Sequence, residues 1–138
     1  FGLDPCAAGS VALNGAPVPD GIATRIAAGM AFVTENRRDE GLMMEAPIAD
    51  NLALVSLRGF GRGPLALLDE PAIAARTEGA RRDLTIKAGD IRTQPVKALS
   101  GGNQQKVVIG KWQMTAPRLF MLDEPTRGVD VGAKFEIY

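Results

Sequence analysis

One short stretch limits the possible folds of this 138-residue chain more than any other. Residues 119–122 read Leu-Phe-Met-Leu, an unbroken apolar run of strand length that ends at two acids and a proline. Continuous apolar character is typical of a strand that is buried on both faces of a parallel sheet, because a strand with one wet face alternates instead. The run therefore predicts an α/β fold, in which ligands gather beyond the carboxyl ends of the strands.

A second strand of this kind is predicted in the first quarter of the chain. Asp20 is a suitable N-cap for a short helix that Gly29 can end. Residues 30–35 follow as a strand, which places Glu35 at a carboxyl end. A helix that leads into a strand is the order expected of a parallel sheet.

The neighbouring segments predict shorter elements and a connection. Asn14-Gly15 accepts the positive φ angles of a tight turn and predicts a small β-hairpin. Residues 48–57 have a helical pattern. The stretch RGFGRGP at 58–64 is rich in glycine, but its spacing is G-x-G-x-G and no strand precedes it, so it is interpreted as a linker and not as a phosphate-binding loop.

The motif Leu-Asp-Glu-Pro occurs twice, and the first copy has helical neighbours. Asp69 and Glu70 precede a stretch of helical periodicity in which Glu78 and Arg82 are spaced i and i+4. An aspartate there can cap the backbone N–H groups, and Pro71 is tolerated in a first helical turn. We predict that the first acid pair caps a helix.

The second copy places Asp123 and Glu124 at the carboxyl end of the predicted strand. At such a position one carboxylate can hold Mg²⁺ directly or through water, while its neighbour orients a water for attack on a phosphoryl group. The alternative is a pair of solvated acids at a strand end. The pair taken alone leaves both interpretations open.

A Leu-Ser-Gly-Gly sequence stands upstream of this strand. Ser100 is a good N-cap for a helix that continues to residue 114. A glycine costs roughly 1 kcal/mol relative to alanine inside a helix, so Gly101 and Gly102 require a reason. Without β-carbons they let an anion approach the N–H groups at the positive end of the helix, and phosphate is the natural ligand. The alternative is a serine cap on a flexible helix start.

The composition excludes several classes of function. Sixteen basic and 16 acidic residues balance, so no basic patch for nucleic acid or an anionic membrane is expected. The absence of histidine removes Ser-His-Asp and Cys-His nucleophiles, and Cys6, the single cysteine, excludes an internal disulfide and a plausible zinc site. No apolar run approaches the ~20 residues of a membrane span. We expect a soluble protein of the cytoplasm.

Together, LSGGNQQK and LFMLDEPTRGVD resemble the signature motif, Walker B strand and D-loop of ABC transporter ATPase domains. NQQK, TRGVDVGAK and TENRRDEGL are most similar to the second ATP-binding domain of the tandem proteins that power bacterial monosaccharide importers of the ribose, galactose and xylose type. The resemblance covers essentially the whole chain and implies part of a P-loop NTPase fold. The implied divisions are core with an antiparallel β part at 1–35, a helical subdomain ending in the signature at 36–115, and core again at 116–138.

The resemblance also implies roles for single residues. It assigns Asp123 to Mg²⁺ through water, Glu124 to the catalytic base and Asp130 to the contact between paired nucleotide-binding domains. The signature residues would touch the γ-phosphate of ATP that the other domain holds; they are Ser100, Gly101 and Gly102. Each ATP site is then shared across an interface.

The sequence departs from the family in three ways. Glu35 stands where most of the wider family carries a glutamine that senses the metal and contacts the membrane subunit. No G-x-x-x-x-G-K-[ST] motif occurs, so we expect the Walker A loop to lie outside this chain. The chain has no histidine, so we expect the same of the family's switch histidine. The final residues, 131–138, have the spacing of a starting amphipathic helix. We therefore expect a fragment that does not hydrolyse ATP by itself.

The implied function is energy coupling in a sugar importer. ATP and Mg²⁺ would be the ligands, and the partners would be the other nucleotide-binding domain and the membrane-spanning permease subunits, with no nucleic acid. The subunit would lie in the cytoplasm on the inner face of the cell membrane. Two alternatives stay open, namely a nucleoside importer and a regulatory half-site that binds nucleotide without hydrolysing it.

Overall fold

The computed structural model describes residues 1–4 and 7–129. Asp130 and the predicted helix at 131–138 lie outside the described residues. The strands are β1 Ala12–Leu13, β2 Ala16–Pro17, β3 Met30–Val33, β4 Gly61–Arg62, β5 Leu67–Leu68 and β6 Leu119–Leu122. The α-helices are α1 Ile22–Ala27, α2 Ile48–Ala53, α3 Glu70–Asp83 and α4 Gly101–Gln113. A π-helical turn covers Arg37–Gly41, and 3₁₀ segments cover Leu54–Phe60 and Val96–Ala98.

A parallel pair of strands forms the sheet of the core. β3 pairs with β6 in a register that runs from Met30 opposite Leu119 to Val33 opposite Leu122. The two strands therefore end side by side, as the α/β prediction requires. The expectation that β6 is buried on both faces is wrong, because Leu119 is 37% and Leu122 49% exposed. Among the described residues β6 pairs with β3 alone, so its other edge has no strand partner there.

The β-hairpin near the N-terminus is confirmed. β1 and β2 pair antiparallel around Asn14 and Gly15, whose φ angles are 52° and 80°. Two consecutive positive φ angles are the requirement of a tight hairpin turn, which an Asn-Gly pair meets at little steric cost. The hairpin is solvent-exposed for most of its length.

Helix α1 is present, but the predicted cap is wrong. The helix begins after Gly21, which has a φ of 108° and makes no side-chain cap. The Asp20 carboxylate instead accepts a hydrogen bond from Nη2 of Arg25 at 2.8 Å, and this arginine is almost fully buried. A buried guanidinium needs a charged partner, and Asp20 serves that purpose in place of capping.

The segment predicted as a linker contains a short hairpin instead. β4 pairs antiparallel with β5, so residues 61–68 double back between α2 and α3. Positive φ angles at Gly63 and Ala66 close the turn. This hairpin carries the most exposed leucines among the described residues, Leu65 at 80% and Leu67 at 68%.

Three helices enclose the main apolar core. Its fully buried side chains come from β3, α2, α4 and the segment between α3 and α4; they include Val33, Ile48, Leu52, Ile86, Val96, Val107 and Val108. Helix α4 packs closely against α2 and the end of α3 because Gly110 has no side chain at the contact. A β-carbon there would lie 2.8 Å from Cδ2 of Leu52 and 2.8 Å from Cδ1 of Leu84. No helix in the described part of the chain is long and apolar enough to cross a membrane.

The first acid pair does cap a helix. Asp69 is the N-cap of α3 and accepts a hydrogen bond from the backbone N–H of Ala72 at 3.3 Å. Glu78, which the sequence places four residues before Arg82, forms its ion pair at i, i+3, where Arg81 donates to Oε1 of Glu78. Both spacings lie on one helix face, and the side-chain rotamers decide between them.

Candidate functional site

The N-terminus of α4, which we call its mouth, is formed by the Leu-Ser-Gly-Gly sequence, as predicted. Ser100 is the N-cap in extended conformation, and its Oγ accepts hydrogen bonds from Nδ2 of Asn103 at 2.9 Å and from the Asn103 backbone N–H at 3.5 Å. The carbonyl of Ser100 accepts from the N–H of Gln104 at 2.9 Å. Ser100 is exposed, so its hydroxyl proton remains free to donate to a ligand.

The glycine at the first position of α4 has a structural reason that the sequence did not indicate. A β-carbon on Gly101 would lie 3.0 Å from Nη2 of Arg37 and 3.3 Å from the carbonyl oxygen of Gly128. The small residue therefore makes room for two segments of the same chain. The next residue, Gly102, is buried.

The second acid pair lies at the carboxyl end of β6. The backbone N–H of Asp123 donates to the carbonyl of Val33 at 3.0 Å, which continues the pairing with β3 by one residue. Glu124 adopts a φ of 41°, a left-handed conformation that is uncommon for a residue with a β-carbon. Both acids are exposed, so they are accessible to a ligand.

A metal ion at these acids would need ligands from a substrate. Within residues 1–4 and 7–129 no group of three or more histidines, cysteines, aspartates or glutamates could hold a metal. Mg²⁺, however, is commonly bound by only one or two carboxylates together with waters and substrate phosphates. Asp123 and Glu124 fit that second arrangement.

Glu35 lies two residues beyond β3 and contacts the loop that follows β6. Its carboxylate forms an ion pair with the guanidinium of Arg127. The side chains are 37% and 62% exposed, so the pair contributes at most about 1 kcal/mol to stability. Its consequence is positional, since it brings Glu35 to the loop that begins with Asp123.

Arg37 is the functional candidate that the sequence reasoning missed. Its Nη1 donates to the carbonyl of Arg127 at 2.9 Å and its Nη2 to the carbonyl of Gly128 at 3.2 Å. Its Nε donates to Oε1 of Gln104 in α4 at 3.4 Å. Burial and then the neighbouring Arg38 lower the pKa of Arg37, yet an arginine stays protonated at any physiological pH. In the sequence Arg37 lies in a short charged stretch, Asn-Arg-Arg-Asp-Glu at 36–40, which carries no pattern of its own for a site.

The π-helical turn that carries Arg37 is fixed at both ends. Asn36 caps it, because its Oδ1 accepts from the N–H of Asp39 at 3.3 Å. At the other end Nζ of Lys111 in α4 donates to the carbonyl of Gly41. Burial lowers the pKa of Lys111, whose amine lies 5.9 Å from the ring centre of Trp112.

A cavity of about 310 Å³ opens where these segments meet. It is lined by Glu35, Asn36, Arg37, Arg38, Arg127 and Gly128. The structure thus brings Glu35 and Gly101 to the loop after β6, while Asp130 cannot be placed. A motif search could not have found Arg37, because its partners are up to 91 positions away.

The comparisons with known proteins agree on one family. A family model described as "ABC transporter" matches residues 1–127. Ribose import ATP-binding protein RbsA 1 of Streptomyces avermitilis is 46% identical over 140 residues, covering all of this chain and 26% of the relative. Ribose import ATP-binding protein RbsA of Lactococcus lactis subsp. cremoris is 45% identical over 139 residues, covering all of this chain and 28% of the relative.

The solved structures show the same fold. The dimeric post-hydrolysis state of an ATP-binding cassette bound to ADP and Pi superposes with a TM-score of 0.73 at 20% identity. The match covers 98% of this chain and 56% of that one. The present chain spans about a quarter of the length of the curated relatives it matches.

Proposed function

This chain belongs to the ABC transporter family, and from that premise we propose that it is part of the ATP-binding subunit of a bacterial monosaccharide importer. ATP hydrolysis in the longer subunit would drive transport. The observation that carries the proposal is that relatives named as ribose import ATP-binding proteins match the whole chain at 45 and 46% identity. A nucleoside importer is the nearest rival substrate class.

We propose that the chain is a portion of the second nucleotide-binding domain of a two-domain subunit. Its division would be core at 1–35, helical subdomain at 36–115 and core at 116–138. The chain covers only 26 to 28% of the length of these relatives, which supports the proposal that it is a piece of one domain within a longer protein. That subunit would lie in the cytoplasm, on the inner face of the membrane and against permease subunits.

The two acids after β6 are the proposed centre of hydrolysis. Asp123 would hold Mg²⁺ through water, and Glu124 would orient and deprotonate the attacking water. The metal, when bound, neutralises charge on the phosphates. Support comes from the exposure of both carboxylates and from their position at the end of a parallel strand, where α/β folds bind ligands.

The mouth of α4 is the proposed half-site for the partner domain's ATP. The hydroxyl of Ser100 and the N–H groups of Gly101 and Gly102 would donate to the γ-phosphate, as helix N-termini do. Asp130 would contact the partner domain. The exposed Ser100 cap supports this arrangement.

The position of Glu35 favours one alternative, a regulatory half-site. Its carboxylate is ion-paired with Arg127, whereas the family's usual glutamine is neutral. A carboxylate engaged in this way interacts with metal and permease differently from an amide. The alternative predicts nucleotide binding at this half-site without hydrolysis.

Substitution of the proposed base tests both functions. In the full-length subunit Glu124→Gln should reduce hydrolysis at this site by about 10²-fold or more, so total ATP turnover should fall to about half or less. The matched control is Glu70→Gln, the same change in the first Leu-Asp-Glu-Pro copy, where the acid starts a helix. Equal turnover for Glu124→Gln and the control would establish the regulatory alternative, and ribose uptake that is independent of the subunit would refute the importer assignment.

A further inference from the structure

We propose that Arg37 is a positioning residue that holds the mouth of α4 and the turn after Glu124 in one fixed arrangement. The inference rests on the function proposed above, in which these two segments serve different ATP sites. Arg37 donates its hydrogen bonds to backbone and side-chain groups beside the two sets of proposed ligand groups, and its Nη2 lies against Gly101. Its effect would therefore be on their relative position.

The groups that accept hydrogen bonds from Arg37 are themselves constrained. Gln104 is 2% exposed, and its Nε2 donates to the carbonyl of Leu99 at 3.1 Å, which turns its Oε1 toward the arginine. The carbonyls of Arg127 and Gly128 belong to a turn that closes through N–H donation from Arg127 to Glu124 at 3.0 Å. A rigid acceptor on each side makes the guanidinium a defined link.

The space between the two segments is shaped for a guanidinium. A β-carbon on Gly101 would come within 3.0 Å of Nη2, and one on Gly128 would come within 3.4 Å of Nη1. The planar fork of arginine can donate in three directions at once, whereas a lysine ammonium is a compact point donor on a flexible stem. Lysine at position 37 should keep the charge and lose the link.

The same turn is also held from its other side. The Glu35 carboxylate binds the Arg127 side chain while Arg37 binds the Arg127 carbonyl, so two residues of one segment contact one residue of the other. In the proposed arrangement the α4 mouth holds one ATP and Glu124 acts on a second ATP. A shift of the α4 mouth would therefore displace the loop that carries Glu124. This gives the two shared sites a direct mechanical connection within one domain.

The test compares Arg37→Ala, Arg37→Lys and Arg38→Ala in the full-length subunit. Arg38 is the exposed neighbour that lines the same cavity, so its substitution removes the same charge as a control. Hydrogen exchange of the Arg127 and Val129 amides, which donate within the turn, reports on its rigidity. Both Arg37 variants should exchange about tenfold faster there and hydrolyse ATP about tenfold more slowly, with the control within about twofold of wild type.

Three results would overturn the proposal. They are unchanged exchange in Arg37→Ala, restoration of exchange and turnover by lysine, and faster exchange with unchanged turnover. Arg37→Lys preserves the aliphatic stem, so it provides a folded variant if alanine destabilises the domain. A wild-type subunit without ATP turnover would refute the proposed function instead, and the exchange measurement would still decide whether Arg37 fixes the turn.

Discussion

Two glycines in helix interiors should respond in opposite directions to the same substitution. Gly79 lies in α3, where an added β-carbon would meet nothing within 4 Å. Gly110 lies in α4, where the added carbon would come within 2.8 Å of both Leu52 and Leu84. Alanine is favoured over glycine in both helices, so only the packing differs.

The magnitudes follow from two terms. Replacing a helical glycine by alanine gains about 0.5–1 kcal/mol, and this is the whole effect expected for Gly79→Ala. Overpacking a core costs about 1–3 kcal/mol, which leaves Gly110→Ala about 0–2.5 kcal/mol less stable than wild type. Leu84 is partly exposed and can rotate, but Leu52 is fully buried and cannot move without displacing its neighbours.

Denaturant unfolding measures the difference between the variants. The fluorescence of Trp112, the single tryptophan of the sequence, reports from α4 itself, where it is 8% exposed. Because the propensity term is common to both substitutions, the gap between them isolates the packing cost of about 1–3 kcal/mol. Equal shifts for the two variants would refute the inferred close contact at Gly110.

Substitutions at two further positions test a cap and a buried charge. Asp69→Ala removes the acceptor of the Ala72 N–H and the ion pair with Arg62, and it should cost about 1 kcal/mol. Asp69→Asn removes only the ion pair, which is worth little because Arg62 is exposed, and it should retain most of the stability. Unfolding midpoints distinguish the two variants, and equal losses would contradict the cap. The folded-state pKa of Lys111 is lowered, so the unfolded chain binds more protons, and stability should rise with pH from the lowered value to the ordinary 10.5. Lys111→Met should remove that part of the slope in pH-dependent unfolding, and an identical slope would contradict the burial argument.

Local patterns predicted the elements well where one residue pair decides the geometry. Asn14-Gly15 predicted the hairpin because its φ requirement is local, and the neighbours of Asp69 and Asp123 separated a helix cap from a strand end. The α/β fold followed from β3 and β6, whose pairing the structure confirms. The chemical roles of Ser100 and Glu124 remain predictions.

The errors arose where long-range contacts override a local preference. Asp20 is a good cap by sequence, yet the buried Arg25 engages its carboxylate. The apolar run of β6 predicted burial on both faces, but burial depends on strands and helices that a local pattern does not specify. The role of Arg37 was not predicted for the same reason, because Arg37 donates to hydrogen-bond acceptors on two segments that are distant in sequence.

The parallel pairing of β3 with β6 also has a consequence for synthesis of the chain. The nearby contact of Arg37 with the Arg127 carbonyl joins residues 90 positions apart. Helices α2 and α3 and the 3₁₀ segments lie between these residues in the sequence. Structures that depend on such distant pairings carry a high loop-closure cost and form slowly. We expect the intervening helices to collapse first on the ribosome, so that β3 lacks its partner β6 until residues 119–122 emerge. That interval is when a nascent chain of this design would most need a chaperone.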